Sequence, residues 1–227
     1  MEIGIFILLG LLAVAAAYLS YYFRKKRREE LALMARQLGL EFSSDDPFHT
    51  LGYPFALLTR GDGRGVENVM WGAWQDIPMR QFDYWYYEES TDSEGRRSRT
   101  YRRFSCAVTE IDAACSHLTI SRENLFTALA DRIGLRDIEF ESDEFNGRFN
   151  VKSQDRKFAN DLVDARMMRY LLAADAAFEF EICGRWLLCF SKKRRPTELI
   201  PLLGTLHGFR SQVPSVVYEL YPVGAPG

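Results

Sequence analysis

Histidine is scarce in this chain, and what little there is does not cluster. His49, His117 and His207 stand far apart and none belongs to H-E-x-x-H or a similar ligand spacing, so no metal centre is expected from them. The four cysteines, Cys106, Cys115, Cys183 and Cys189, include no C-x-x-C pair, which removes the usual zinc and dithiol signatures and leaves free buried thiols as the expectation. G-x-S-x-G is absent. The glycine-rich run Arg60-Gly61-Asp62-Gly63-Arg64-Gly65 is not followed by G-K-[ST], so it reads as a hairpin loop rather than a phosphate loop. No catalytic residue, cofactor or metal ligand is therefore assigned.

The chain also lacks a surplus of either charge. Its 227 residues hold 29 Lys plus Arg against 31 Asp plus Glu, a formal net charge of -2, which gives no general attraction to nucleic acid. Repeats, low-complexity stretches and flexible interdomain linkers are missing as well. The rest of the composition, 47% hydrophobic and 26% charged, is that of a globular protein.

Charge is missing in one place with a direct consequence. From Ile3 to Phe23 no residue is charged, and at about 1.5 Å per residue this run makes a helix of about 31 Å, close to the roughly 30 Å hydrocarbon core of a bilayer. Arg24, Lys25, Lys26, Arg27 and Arg28 come immediately after it. A cleaved signal peptide would carry its cations before the apolar run, and here Glu2 stands there instead. The expectation is a single-pass anchor with its N-terminus outside and the rest of the chain in the cytoplasm, the five cations setting the topology and the bilayer as partner. Tyr18, Tyr21 and Tyr22 suit the inner headgroup region. Removing the five cations and three acids of residues 1–30 leaves 24 cations and 28 acids, so the remainder carries -4 while the positive charge sits at the membrane.

Four segments are expected: an anchor over 1–23, a basic strip and short helix over 24–40, a cytoplasmic α+β domain over 41–222, and a tail over 223–227. Leu31, Met34, Ala35 and Leu38 have helical spacing, with Gly39 as a stop. FALLT, VENVMWGAW, IPMRQFDYWYYEE and RTYRRFSCAVTEI read as antiparallel strands, the last two joined by a polar tip whose acidic and basic arms neutralise each other. A helix is expected over 121–135, a hairpin turn at Asn146-Gly147, and a helical stretch from Asp155 broken near Asp164. AFEFEIC and RWLLCFS read as two strands around a turn at Gly184-Arg185, and the last long segment, with Leu199, Leu202, Leu203, Leu206 and Phe209, as a helix. Phe145, Phe149, Phe158, Leu162, Phe180 and Leu188 are expected to share one core. Runs of strands with helices between them favour α+β over a doubly wound parallel sheet.

The segment Asp137-Ile138-Glu139-Phe140-Glu141, continuing through Phe145-Asn146, Phe149, Val151, Ser153, Asp155 and Ala159, resembles bacterial membrane-anchored families known only as domains of unknown function. The resemblance covers about residues 137 to 190, with a looser likeness at Trp71-Gly72 and Phe82-Asp83-Tyr84. It implies an anchor followed by an α+β cytoplasmic domain and brings no activity with it. Read from the residues alone, Asn146 supports a turn, Asp155 caps a helix and the phenylalanines enter the core.

Two functions from different classes are open to such a chain. One is a noncatalytic binding or scaffold module at the cytoplasmic face of a bacterial inner membrane, with a protein partner of unknown identity. The other is a membrane-tethered hydrolase or thiol enzyme, recognisable by a pocket joining a histidine to Cys106, Cys115 or a carboxylate. A second compact run of cations, Lys192, Lys193, Arg194 and Arg195, is a candidate lipid contact, with a solvated strand-edge defence as its rival.

Overall fold

A computed structural model describes residues 2–122, 134–174 and 177–224, with side chains except at residues 2–6, 8 and 9. The first element, α1 (Glu2–Leu38), is one unbroken helix. It stops where the sequence marks a stop: Gly39 takes a φ of 69°, its N–H reaches the carbonyl of Arg36 at 3.3 Å, and Leu40 N–H reaches that of Ala35 at 2.8 Å. Leu31, Met34 and Ala35 are buried against the body, so the end of α1 belongs to the core and packing begins before residue 41. Among the described residues no helix is long and apolar enough to cross a membrane. Part of the uncharged run that begins at Ile3 lies outside the described side chains.

The fold is α+β around an antiparallel sheet of β1 (Glu41–Ser43), β2 (Gly63–Trp74), β3 (Ile77–Thr91), β4 (Arg97–Ser121), β5 (Arg136–Ile138), β6 (Asn150–Ser153) and β7 (Glu179–Lys192). The long β4 organises it. Its first half lies between β3 and β7, and its second half lies between β6 and β7. Gln75 and Asp76, both with positive φ, close the tight β2–β3 turn. At the β3–β4 hairpin the register sets Glu89 opposite Arg99, and the two pair at 2.8 Å, so the oppositely charged arms do meet.

Helices α2 (Asp143–Asn146), α3 (Arg156–Leu162), α4 (Ala165–Ala173), α5 (Leu199–Gln212) and α6 (Ser215–Leu220) complete the body. Asp155 and Asp164 cap α3 and α4 by accepting the N–H of Phe158 and Met167, which is why the helical stretch divides at Asp164. In α5, Pro201 sits in the first turn, where its missing N–H is harmless. Gly208 admits the ring of Tyr170, whose hydroxyl lies 2.5 Å from where a Cβ would stand and donates to Thr205 O at 2.8 Å. The helix expected between Ser121 and Leu135 falls largely on residues 123–133, outside the described residues.

Three local expectations are corrected. Leu57–Thr59 is a 3-10 turn rather than the end of a strand, because Phe55, Leu57 and Leu58 fold over the sheet to cover it. Asn146-Gly147 is no hairpin turn. Ser142 caps a single helical turn by accepting Phe145 N–H at 3.2 Å, and the Asn146 amide bonds the N–H and carbonyl of Phe140. Gly184 is likewise no turn: β7 runs straight through it, although its φ is 59°.

That glycine explains how the core divides. Before it, Phe178, Phe180 and Ile182 face the helices; after it, Leu187 and Cys189 do, so the even and odd positions exchange faces. β4 makes the matching exchange, with Ala107, Ile111 and Cys115 giving way to Leu118 and Ile120 across irregular register. Phe145, Phe149, Phe158, Leu162 and Phe180 therefore share the helix-side core, whereas Leu188 lies in a second core on the opposite face, with Phe82, Tyr84, Tyr86, Phe104 and Phe190. The loop carrying Phe55 and Leu57 covers that second face, and Glu181, which accepts the N–H groups of Ala56 and Leu57, is buried beneath it.

Candidate functional site beside the N-terminal helix

Alternation along β3 turns Met79, Asp83 and Trp85 to the side on which α1 lies. Asp83 is the charged member of this row, with a side chain only 2% exposed. Its two carboxylate oxygens each accept from the Arg27 guanidinium at 2.7 Å. Asn68 Nδ2 donates to it at 3.0 Å, Lys193 Nζ lies 3.3 Å away, and the third arm of Arg27 donates to the carbonyl of Arg194 at 2.7 Å. A paired, forked guanidinium is the arrangement that fixes both distance and angle. The cluster thus ties α1, β2, β3 and the end of β7 together below the last residue of the uncharged run.

Two recesses flank α1 at this level. One, of about 800 Å³, is bounded by α1 from Phe23 to Leu38 and by residues 193–200; Leu33 and Ile200 expose apolar surface into it, and Lys26 and Arg195 stand at its rim. The other, of about 560 Å³, is lined by Ser20, Phe23 and Arg24 of α1 and by Trp85, Tyr101 and Arg103 of the β3–β4 hairpin. A smaller recess of about 210 Å³, on another part of the sheet, is walled by Phe48, Tyr53, Trp71 and Trp186, with Arg80 over the Phe48 ring at 4.1 Å.

The two basic runs are divided between surface and interior. In the first, Arg24, Lys25, Lys26 and Arg28 are exposed, Lys25 and Lys26 reaching Glu29 and Glu30 at 3.9 Å one turn on, while Arg27 is drawn inward to Asp83. In the second, Lys193 faces Asp83 and Glu67, and Arg194 lies over the Phe178 ring at 5.1 Å. Arg195 is exposed and pairs with Glu198 at 2.6 Å, and Lys192 is exposed. The structure therefore joins Arg27 to Lys193 and Arg194, residues 166 and 167 positions apart in sequence. Asn68 carries no sequence signal, and Asp83 is marked only by the looser likeness at Phe82-Asp83-Tyr84 and by being an acid within a strand.

The thiols offer little nucleophilic character. Burial pushes the Cys106 and Cys189 thiols well up, pushes Cys115 up to about 12, and raises Cys183 as well. His117 does meet a carboxylate: Nε2 lies 2.7 Å from Glu181, which also accepts the N–H groups of Ala56 and Leu57. This contact holds the covering loop to the sheet, and neither residue lines any of these three recesses. Among the described residues no group of three or more His, Cys, Asp or Glu is placed to hold a metal ion.

No family model matches the chain, and no curated protein matches it in sequence. Among solved structures, that of the mycobacterial trehalose monomycolate transport factor A, TtfA, is similar to it at a TM-score of 0.58 and 15% identity, covering 88% of this chain and 98% of that one. At that identity the likeness establishes a shared fold.

Proposed function

We propose that this chain is a noncatalytic binding module anchored in a bacterial inner membrane, with its N-terminus outside, its body at the cytoplasmic face, and the 800 Å³ groove beside α1 as the place where a protein or lipid partner is held. The observation that carries this reading is the continuity of α1. One helix runs from the uncharged segment into the body, and the Arg27 to Asp83 pairing fixes the groove at a set height below that segment. Ile7, Leu11, Leu12, Val14 and Leu19 project from the body exposed, a large apolar surface that a bilayer would cover. The cations of residues 24–28 favour the cytoplasmic side for the body. A transport factor among proteins of like fold accords with a binding rather than a catalytic role.

Two measurements in intact cells test the reading. A cysteine in place of Thr100, exposed on the hairpin, is expected to resist a membrane-impermeant thiol reagent until the membrane is opened; rapid labelling of closed cells would overturn the topology. Photo-crosslinkers at Leu33 and Ile200 are expected to capture a lipid or protein reproducibly. Reproducible absence of any crosslink from either position would remove the groove as a binding site.

A further inference from the structure

We propose that the α1-facing side of the β3–β4 hairpin is a second membrane contact, which lies on the anionic headgroups of the cytoplasmic leaflet and takes a lipid phosphate between Arg24 and Arg103. The proposal rests on the reading of α1 as a single-pass anchor. That reading puts Phe23 at the inner edge of the hydrocarbon, and Ser20, Phe23 and Arg24 line the same recess as Trp85, Tyr101 and Arg103. Those hairpin residues consequently stand at headgroup height.

The chemistry of the surface suits that height. Cross-strand pairing puts Trp85 opposite Arg103, Tyr87 opposite Tyr101 and Glu89 opposite Arg99, so one face of the ribbon carries all six. Trp85 and Tyr87 stack at 6.5 Å with their planes 13° apart, and Tyr101 packs against both. Their flat placement is built into β2. A Cβ at Gly63 would run into the Tyr87 ring and one at Gly65 would stand 2.7 Å from the Trp85 ring, so the two glycines are what allow both rings to lie down on the sheet. Rings with an apolar body and a polar edge are the residues found at membrane interfaces.

The distribution of charge points to the same surface. Arg27 and Lys193, which also line the recess, are committed to Asp83, its one lining carboxylate, Glu67, is met by Lys193 at 3.7 Å, and at the hairpin tip Arg99 pairs with Glu89 and Arg96 with Glu94. Arg24 and Arg103 have no carboxylate partner among the described residues, and they face the recess from its two walls. Beyond Tyr87 the ribbon is charged on both arms and does not enter hydrocarbon, so it must lie along the surface. Of residues 192–195, Lys193 and Arg194 turn inward while Lys192 and Arg195 stay exposed, so that exposed pair is the alternative basic surface against which the hairpin is tested.

The test uses the whole chain reconstituted in phosphatidylglycerol vesicles whose acyl chains are brominated near the headgroup, with phosphatidylcholine vesicles of the same kind for comparison. The Trp85 contribution to fluorescence is taken as the difference from the Trp85→Phe variant. It is expected to be quenched in phosphatidylglycerol and to lose most of that quenching in phosphatidylcholine, in about 1 M salt, and in Arg24→Gln/Arg103→Gln. The salt arm needs no substitution and so is independent of any folding defect. Lys192→Gln/Arg195→Gln should retain the quenching. Equal Trp85 emission in the two lipids, or quenching that survives the Arg24 and Arg103 substitutions, overturns the hairpin contact. Alkaline carbonate extraction separates the two readings: a chain retained in the membrane with Trp85 unquenched refutes the hairpin alone, whereas an extracted chain refutes the anchor and this proposal with it.

Discussion

Removing Arg27 should loosen α1 from the body by a calculable amount. In Arg27→Ala the buried Asp83 carboxylate loses two charge-assisted bonds of 2.7 Å but keeps Asn68 at 3.0 Å and Lys193 at 3.3 Å. The cost is accordingly about 2 to 3 kcal/mol, below the roughly 3 to 5 of a fully orphaned buried charge. Asp83→Ala leaves two cations that are 13% and 24% exposed and can turn toward water, at about 2 kcal/mol. The double variant should cost less than the sum, because neither partner is then stranded, and a coupling of about 1 to 2 kcal/mol is expected. At roughly 2 to 4 °C per kcal/mol for a chain of this size, Arg27→Ala should lower Tm by about 4 to 12 °C. Thermal unfolding of the detergent-solubilised variants by circular dichroism measures this, and amide exchange over residues 24–38 localises it to α1. Strict additivity of the two single substitutions, or unchanged exchange in α1, would refute the pairing as the weld between helix and sheet.

Other perturbations read other parts of the molecule. Phe149→Ala should cost about 3 to 5 kcal/mol, since the ring is buried and stacks on Phe145 at 4.9 Å; an unchanged denaturation midpoint would place it outside the core. Gln81 is fully buried and its side-chain amide meets no partner among the described residues, so Gln81→Met should stabilise the chain by about 1 kcal/mol, and a lower midpoint in urea would show the amide is satisfied. Cys183 should react with a thiol reagent before Cys106, Cys115 and Cys189, because it alone among the four is partly exposed. For Cys115, held up to about 12, only about one thiol in ten thousand is ionised at about pH 8, so its alkylation should keep rising with pH instead of levelling near about 9. The effect on stability has a definite sign: a thiol pKa raised on folding stabilises fully below the unfolded value of about 8.5, and for Cys115 that contribution is lost as pH rises from there through the folded value of about 12.

Local signals in the sequence determined what local energetics control. The stop of α1 at Gly39, the caps at Asp155 and Asp164 and the buried stripe of Leu31, Met34 and Ala35 each depend on residues within one or two turns, so reading them required no knowledge of the fold. The α+β class and the β3–β4 hairpin were legible for the same reason, since alternation and a polar tip are short-range patterns. Tertiary structure decided the rest. The turn expected at Gly184 became part of a continuous strand because β4 offers partners on both sides of it, from Phe104 to Ile120, and the paired irregularities in β4 and β7 then sent Leu188 to the face opposite Phe180. In the sequence the basic run of residues 24–28 reads as a topology-setting strip at the membrane, and that of residues 192–195 as a lipid contact or a solvated strand edge. Only the fold brings Arg27 and Lys193 onto Asp83, because a buried carboxylate 56 positions from the one and 110 from the other has a strong enough demand for cations to draw them from the surface.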